Sequence, residues 1–379
     1  MKRFQLAAVF AVAFALNAGA KSEAGDVHNA ASATFGVTRM TQPLDHPWGF
    51  DFLPDGAVLV NERDGRMHYL PPDFGQVTQV EGVPEVRASG QGGLLDLVVA
   101  LDFETSRRIY FTFSEPGPGG AGTAAATAEF MQDDAGPRLE NVRVIARMTR
   151  KTSAGRHFGS RIVPAPDGTV YVTTGDRGDS DRAQDPFDHA GSVLRVRADG
   201  SIPADNPFAD GKKGLPELWS MGHRNIQGAA LHPDTGELWT VEHGARGGDE
   251  INRPQAGLNY GWPVISYGRH YSGGKIGVGT AAKGYEQPVH YWDPSIAPSG
   301  MAFYTGNTIP EWTGDMFVGA LKDQMIVRLG IDAGKVVGEE HLLEGDYGRI
   351  RTIRNGPDGA LWFSTDEPDG ALYRIGAAP

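Results

Sequence analysis

The sequence predicts an all-β fold, a six-bladed β-propeller, from three observations. One turn recurs four times between short apolar runs, as Pro54-Asp55-Gly56, Pro166-Asp167-Gly168, Pro233-Asp234-Thr235-Gly236 and Pro357-Asp358-Gly359. The runs after these turns resemble one another: Val58-Leu59-Val60, Val170-Tyr171-Val172, Leu238-Trp239-Thr240-Val241 and Leu361-Trp362-Phe363. The 52 glycines and 25 prolines of the 379 residues point to many turns, and no long amphipathic helix is evident.

Each Pro-Asp-Gly between β-branched or aromatic runs reads as a hairpin turn. One copy is only a common β-turn; four copies in register mark a repeated unit. Leu94 to Phe113 and Met301 to Leu329 share the rhythm without the turn, with Met316-Phe317-Val318 and Ile326-Val327 as strands, which brings the count to about six. Units of roughly 40–70 residues holding several short strands are propeller blades, because no single sheet buries its faces until neighbours stack beside it. One closed domain over residues 21–379 is therefore expected. Pro116 to Ala128, built mainly from Gly, Ala, Pro and Thr, reads as a flexible surface loop.

The first twenty residues read as a signal peptide. Lys2 and Arg3 precede an apolar run from Leu6 to Leu16, and Ala18-Gly19-Ala20 offers an A-x-A cleavage site. The run is too short to span a bilayer, so the mature chain is expected to start near Lys21 and be released, in the periplasm or beyond, without membrane insertion. With no cysteine in the chain, an exported protein of this kind must rely on core burial, and on metal if any, rather than on disulfides. A formal net charge of −12 argues against nucleic acid and anionic membrane as partners.

Four stretches carry residues suited to chemistry. His157 lies in Arg156-His157-Phe158-Gly159-Ser160-Arg161, and Asp176 follows one hairpin later. A carboxylate beside an imidazole orients it and raises its basicity, although a histidine in such a loop can equally be a solvated turn residue. Arg224 and Asn225, in Gly222-His223-Arg224-Asn225, offer planar donors for a carboxylate or carbonyl, the alternative being a surface salt bridge with an Asn turn. Glu242 to Asn252 mixes glycine with carboxylates, as a calcium site does, without the spacing of an EF-hand. Lys322, Arg349 and Arg351 gather positive charge in an acidic chain. Positions i and i+2 of a strand share a face, so Arg349 and Arg351 can meet one anion, or else form an exposed ion pair.

Together these stretches resemble the soluble quinoprotein glucose dehydrogenases, most closely their aldose sugar dehydrogenase branch, also called glucose/sorbosone dehydrogenases. The resemblance runs over nearly the whole mature chain and is carried by Gly90-Gln91-Gly92-Gly93-Leu94-Leu95, the His157 loop with Asp176, Gly222-His223-Arg224-Asn225, Asp249-Glu250-Ile251-Asn252 and Asn259-Tyr260-Gly261-Trp262-Pro263, in that order. It implies a six-bladed propeller with pyrroloquinoline quinone (PQQ) lying flat at the top of the channel. His157 is then the general base and Asp176 its partner. Gln91, Arg224, Asn225, Tyr271, Lys322, Arg349 and Arg351, together with the neighbouring Ala320, Leu321 and Ile350, match positions that hold the quinone. Gly244 and Ala245 match backbone ligands of a calcium that touches the quinone, where the family often has proline in place of Ala245; Glu250 and Tyr260 match a second, structural calcium. The implied reaction is hydride transfer from C1 of an aldose to the quinone, giving a lactone, with calcium and Arg224 stabilising negative charge and an external acceptor removing the electrons.

Two other readings compete: a calcium-dependent lactonase or esterase on a propeller, which would not need the Lys322, Arg349 and Arg351 cluster, and a non-catalytic sugar- or protein-binding propeller. Neither the preferred sugar, nor the acceptor, nor the choice between monomer and homodimer is written in the sequence.

Overall fold

The computed structural model describes residues 25–378; the expected signal peptide, residues 1–20, lies outside them. The chain forms six small antiparallel sheets. Among the described residues the only helical pieces are Phe103–Ser106 and the 3-10 turns Ser180–Gln184 and Pro310–Trp312, and no helix is long and apolar enough to cross a membrane.

The innermost strands are Pro47–Phe52, Leu94–Val99, Ile162–Pro164, Ile226–Leu231, Pro298–Phe303 and Ile350–Asn355. Successive members lie beside one another, and Ile350–Asn355 returns to Pro47–Phe52, closing the ring. Each of these four turns joins an innermost strand to the next strand outward, as expected from the turn chemistry, whereas Pro368-Asp369-Gly370 joins the second strand of the last blade to its third. The second strands Val58–Glu62, Thr169–Thr173, Leu238–Glu242 and Leu361–Thr365 are thus equivalent. Arg108–Gly117 and Met316–Ala320 fill the same place in the two blades that lack that turn.

Every blade-to-blade interface has its own apolar core. Leu59, Met67 and Phe111 join the first two blades, and Tyr110, Ala125 and Val172 the next. Val193 with Ile226, Val241 with Met316, Phe317 with Phe363, and Phe50 with Trp362 complete the circuit. The sixth blade is built from both ends of the described chain: Thr34–Arg39 pairs antiparallel with Leu372–Ala377, Phe35 opposite Ala377 and Arg39 opposite Tyr373. Phe35 is buried against Trp312. Phe35→Ala is expected to cost about 3–5 kcal/mol, the range for emptying an aromatic core position; denaturant unfolding with no measurable loss would show that the closing strand does not hold the ring.

One expectation fails. Pro116 to Ala128 is no loop: Arg108–Gly117 turns at Pro118-Gly119 into the strand Gly120–Asp133, whose first nine residues are buried. The alanines are small because they sit between sheets. Ala124 and Ala126 pack toward the first blade and Ala125 toward the third, so bulkier side chains would force the blades apart. A composition typical of linkers here marks close packing.

Candidate active site

Innermost strands all begin at one end of the channel, and the loops leaving each second strand return to the same end. His157 precedes one innermost strand, and Asp176, His243 and Asp366 each follow a second strand. Residues far apart in sequence are brought together there.

His157 sits in the left-handed region (φ 53°), which a non-glycine residue adopts at a cost of order 1–3 kcal/mol unless its surroundings hold it. Its backbone N–H donates to Gln91 Oε1 at 2.7 Å. Arg177, also left-handed, donates to the carbonyls of Ala154 and Arg156 and lies over the Phe158 ring, bracing the loop on both sides of His157. Gly175 permits the approach of the second hairpin, since a Cβ there would stand 2.1 Å from the His157 carbonyl oxygen.

His157 Nδ1 donates to Asp176 Oδ1 at 2.6 Å. Asp176 also accepts from Gly178 N–H and, through Oδ2, from Trp262 Nε1 at 2.9 Å. Burial alone would raise the Asp176 pKa, but the His157 hydrogen bond and charge and the Gly178 N–H hold it below the ordinary value, so it is a carboxylate. An ionised Asp176 fixes the proton on Nδ1 and leaves Nε2 as the basic nitrogen. Burial pushes the imidazole pKa of His157 down; Asp176 opposes this and the Arg224 charge reinforces it.

Beside this pair is a cavity of about 130 Å³ lined by Trp48, Gln91, Asn225, Gln227, His243 and Leu321, with Arg63, Arg349, Arg351 and Asp366. It shares His243 and Ala297 with an open bowl of about 710 Å³ that carries Gly244, Ala245, Arg246, Arg269, Tyr271, Asp293 and Lys322. Of the predicted residues, Gln91, Asn225, Leu321, Arg349 and Arg351 line the cavity and Gly244, Ala245, Tyr271 and Lys322 the bowl, while His157, Asp176, Arg224, Glu250, Tyr260, Ala320 and Ile350 line neither. Asn225 Oδ1 accepts from Gly159 N–H, tying its loop to that of His157. Tyr271 stands on the bowl rim, 73% exposed, and Lys322 bonds to the Ser295 carbonyl and Asp323. Ala320 and Ile350 are fully buried in the inter-blade cores, so only their backbone can meet a ligand.

Arg349 and Arg351 do converge, on a residue that the sequence reading overlooked. Asp366, 3% exposed, accepts from Arg351 at 2.5 Å and lies 3.8 Å from Arg349 and 3.6 Å from Arg63, with His46 Nδ1 at 3.0 Å. Its pKa falls far below the ordinary value: burial opposes ionisation, but the charge and hydrogen bond of Arg351, then Arg63 and His46, outweigh it. Three arginines against one carboxylate leave a cationic pocket. Arg351 keeps a buried Nε without a partner, and so does Arg224, whose Nη1 donates to the His243 carbonyl. His243 was also missed. Burial, then Arg224, push its pKa down to about 3, and donation from Nε2 to the Pro298 carbonyl leaves Nδ1 as an acceptor.

Gly244 lies in a tight loop in which a Cβ would stand 2.2 Å from the Gly247 carbonyl oxygen and 2.3 Å from that of Gly248. Asp249 accepts from the N–H groups of Gly244, Ile296 and Ala297 and from Ser295 Oγ, so this carboxylate organises the loop. Glu250 is the second residue of the adjacent strand Asp249–Asn252; burial and the neighbouring Glu242 and Asp249 raise its pKa. Asn252 Nδ2 bridges Glu242 and Glu250, and its Oδ1 is buried without a donor. The Tyr260 hydroxyl is committed to the Arg253 carbonyl and its ring stacks on His223, so only its backbone is available. No group of three or more His, Cys, Asp or Glu side chains in metal-holding geometry occurs among the described residues.

Ser220, His223 and Glu242 have the distances of a nucleophile triad, with Ser220 Oγ 3.0 Å from His223 Nε2 and His223 Nδ1 2.8 Å from Glu242. Ser220 and His223 are both 0% exposed, so no substrate reaches them. Their role is structural: Glu242 also accepts from the Arg224 N–H at 2.6 Å and sets the base of that arginine.

A model of the glucose / sorbosone dehydrogenase family matches residues 44–374. The chain is 43% identical over 350 residues to the aldose sugar dehydrogenase YliI of Escherichia coli, covering 91% of this chain and 94% of that protein. The crystal structure of the soluble aldose sugar dehydrogenase of E. coli in its apo form superposes with a TM-score of 0.86 at 42% identity, covering 90% of this chain and 99% of that one. The PQQ-bound aldose sugar dehydrogenase of Streptomyces coelicolor follows at 0.75 and 27% identity, covering 91% and 98%.

Proposed function

The chain belongs to the glucose / sorbosone dehydrogenase family, and on that premise we propose that it is a PQQ- and calcium-dependent aldose sugar dehydrogenase of the periplasm, oxidising C1 of the sugar to the lactone. The expected signal peptide supports the location, and the single-domain reading of residues 21–379 is kept with it.

The observation that carries the reading is the His157–Asp176 pair, whose loop continues through Phe158 and Gly159 into the wall of a pocket with three arginines, in a chain of net charge −12. A tricarboxylate quinone fits the pocket together with the adjoining bowl, because Arg351 in the pocket wall and Arg224 beside His243 each have a buried, unpartnered N–H and Arg349, 41% exposed, lines the pocket as well. Gln91, Asn225 and Lys322 would bind its polar edges, and Tyr271 and Leu321 its ring faces. When bound there, the quinone supplies the acceptor for the hydride. His157 Nε2 takes the proton of the C1 hydroxyl, and Asp176 holds the ring in the competent tautomer and compensates the charge it gains. Trp262 keeps Asp176 from rotating, and Arg224 faces the charge that develops on the acceptor side. His243, neutral throughout, accepts a hydrogen bond at Nδ1 from the sugar or the cofactor.

The oxygen-rich surroundings of Glu242, Glu250 and the undonated Asn252 Oδ1 fit a structural calcium, and the crowded carbonyls of the Gly244–Ala245 loop fit a second one that would act as a Lewis acid at the cofactor. A hydrolase reading has its best triad sealed from solvent. Absorption spectroscopy during titration with PQQ and calcium, followed by an aldose and an artificial dye, tests the whole assignment; quinone binding without sugar-dependent dye reduction would refute it. Chelation should abolish dye reduction and lower Tm, with calcium restoring both, since a ligand of the native state stabilises it. Unchanged melting and activity in chelator would remove calcium from the scheme.

A further inference from the structure

The bowl above the pocket carries more positive charge than a neutral sugar needs. From Ile251 to Tyr285 the chain contains Arg253, Arg269, Lys275 and Lys283 and no aspartate or glutamate, in a protein whose acids outnumber its bases by 47 to 35. Short backbone bridges bring part of this stretch to the mouth: Arg246 pairs with Arg269, and Arg269 with Lys275. Arg246, Arg269, His270, Lys275 and Lys283 are exposed, and Arg246, Arg269 and Lys322 line the bowl against a single acid, Asp293.

Arg246 and Arg269 are also unspent. Neither makes a side-chain hydrogen bond or ion pair among the described residues, which is also true of the exposed Arg87, Arg156 and Arg197; what sets Arg246 and Arg269 apart is that both line the bowl. Exposed tyrosine also stands on the rim: Tyr271, 73% exposed, lines the bowl between Arg269 and Gly273.

We propose that this rim, with Arg246 and Arg269 at its centre, is the docking surface for an anionic one-electron acceptor. The inference rests on the dehydrogenase reading above. Conversion of an aldose to its lactone releases two electrons and two protons, so two one-electron acceptors must visit the mouth in turn while the protons pass to water. A cationic lip on an acidic protein raises the local concentration of an anionic visitor and repels a cationic one. Such steering changes encounter rates by roughly 10–10³-fold and weakens with salt, because the screening length is about 10 Å at 0.1 M.

The test uses the quinone-loaded full-length protein and compares ferricyanide, an anionic oxidant, with hexaammineruthenium(III), a cationic one. The second-order rate of reoxidation by ferricyanide should fall as salt rises and drop at least about tenfold in R246E/R269E, while that by hexaammineruthenium(III) rises. Reduction of the loaded enzyme by glucose, followed in single turnover without acceptor, should not change. Redox-inert hexacyanocobaltate(III) should bind the wild type and not the variant in calorimetry, a readout that needs no turnover and survives failure of the dehydrogenase reading. R246A/R269A should show the same trends at smaller amplitude, with unchanged Tm. Salt-independent ferricyanide kinetics, or hexacyanocobaltate binding unaltered in both variants, would overturn the proposal. So would a loss of PQQ affinity, or of single-turnover reduction by an anionic sugar alone, since the arginines would then serve the cofactor or the substrate.

Discussion

Replacing His157 by glutamine is expected to lower kcat by roughly 10²–10⁴-fold, the usual worth of a positioned proton acceptor, with little change in fold or in PQQ affinity. Glutamine fills the same space and can still donate to Asp176, so the loop braced by Gln91 and Arg177 keeps its shape. The loss belongs to kcat rather than KM, because proton removal occurs in the transition state and adds little to ground-state sugar binding. The pH profile is a second, signed test. The His157 pKa is lowered from 6.5, so the neutral base survives into more acidic solution and the acid limb of kcat/KM should lie below that value. Dye reduction across pH, with quinone occupancy checked by absorbance, measures both. A mutant that turns over at near wild-type rate would exclude His157 as the base.

The second large effect concerns Arg349 and Arg351. Each charge-assisted hydrogen bond to a cofactor carboxylate is worth about 1.5–3 kcal/mol, so the double alanine variant should bind PQQ roughly 10²–10⁴-fold more weakly. The two residues differ in what else they lose. Arg349→Ala should keep its stability, as that side chain is partly exposed and only 3.8 Å at closest from Asp366. Arg351→Ala removes the nearest cation from a buried carboxylate, and breaking such a pair costs up to about 3–5 kcal/mol. The depressed Asp366 pKa contributes stability above the ordinary carboxylate value that is lost only as pH falls through the lower folded-state value, so Arg351→Ala should move acid unfolding to higher pH. Equal PQQ affinity in variant and wild type would return both arginines to a structural role.

What the sequence made legible is what local chemistry encodes. Pro-Asp-Gly favours a turn, so four hairpins and the equivalence of the strands that follow them could be read directly. His157 and Asp176 could be paired because one hairpin separates them. Asp366 stands in the same relation to Arg351 and was still overlooked, since nothing in Ser364-Thr365-Asp366 distinguishes it from a surface acid; a search for a buried counter-charge to paired arginines would have raised it. His46 and Arg63 come from the first blade and meet Asp366 only through ring closure. The strand Gly120–Asp133 was misread because small residues serve both flexible linkers and tight packing, and composition does not separate them.

The ring is fastened by Thr34–Arg39 lying beside Leu372–Ala377, nearly the full chain length apart. During synthesis, therefore, the earliest strand waits for the latest. Until about residue 377 has emerged, the N-terminal strands of the sixth blade lack the strand they pair with, and the apolar cores around Phe35 and Phe50 stay incomplete on the side of Ile375 and Leu372. The native state thus becomes available in one late, long-range step. Under the export proposed above, this arrangement keeps any truncated version of the chain from locking shut on the side where it is made.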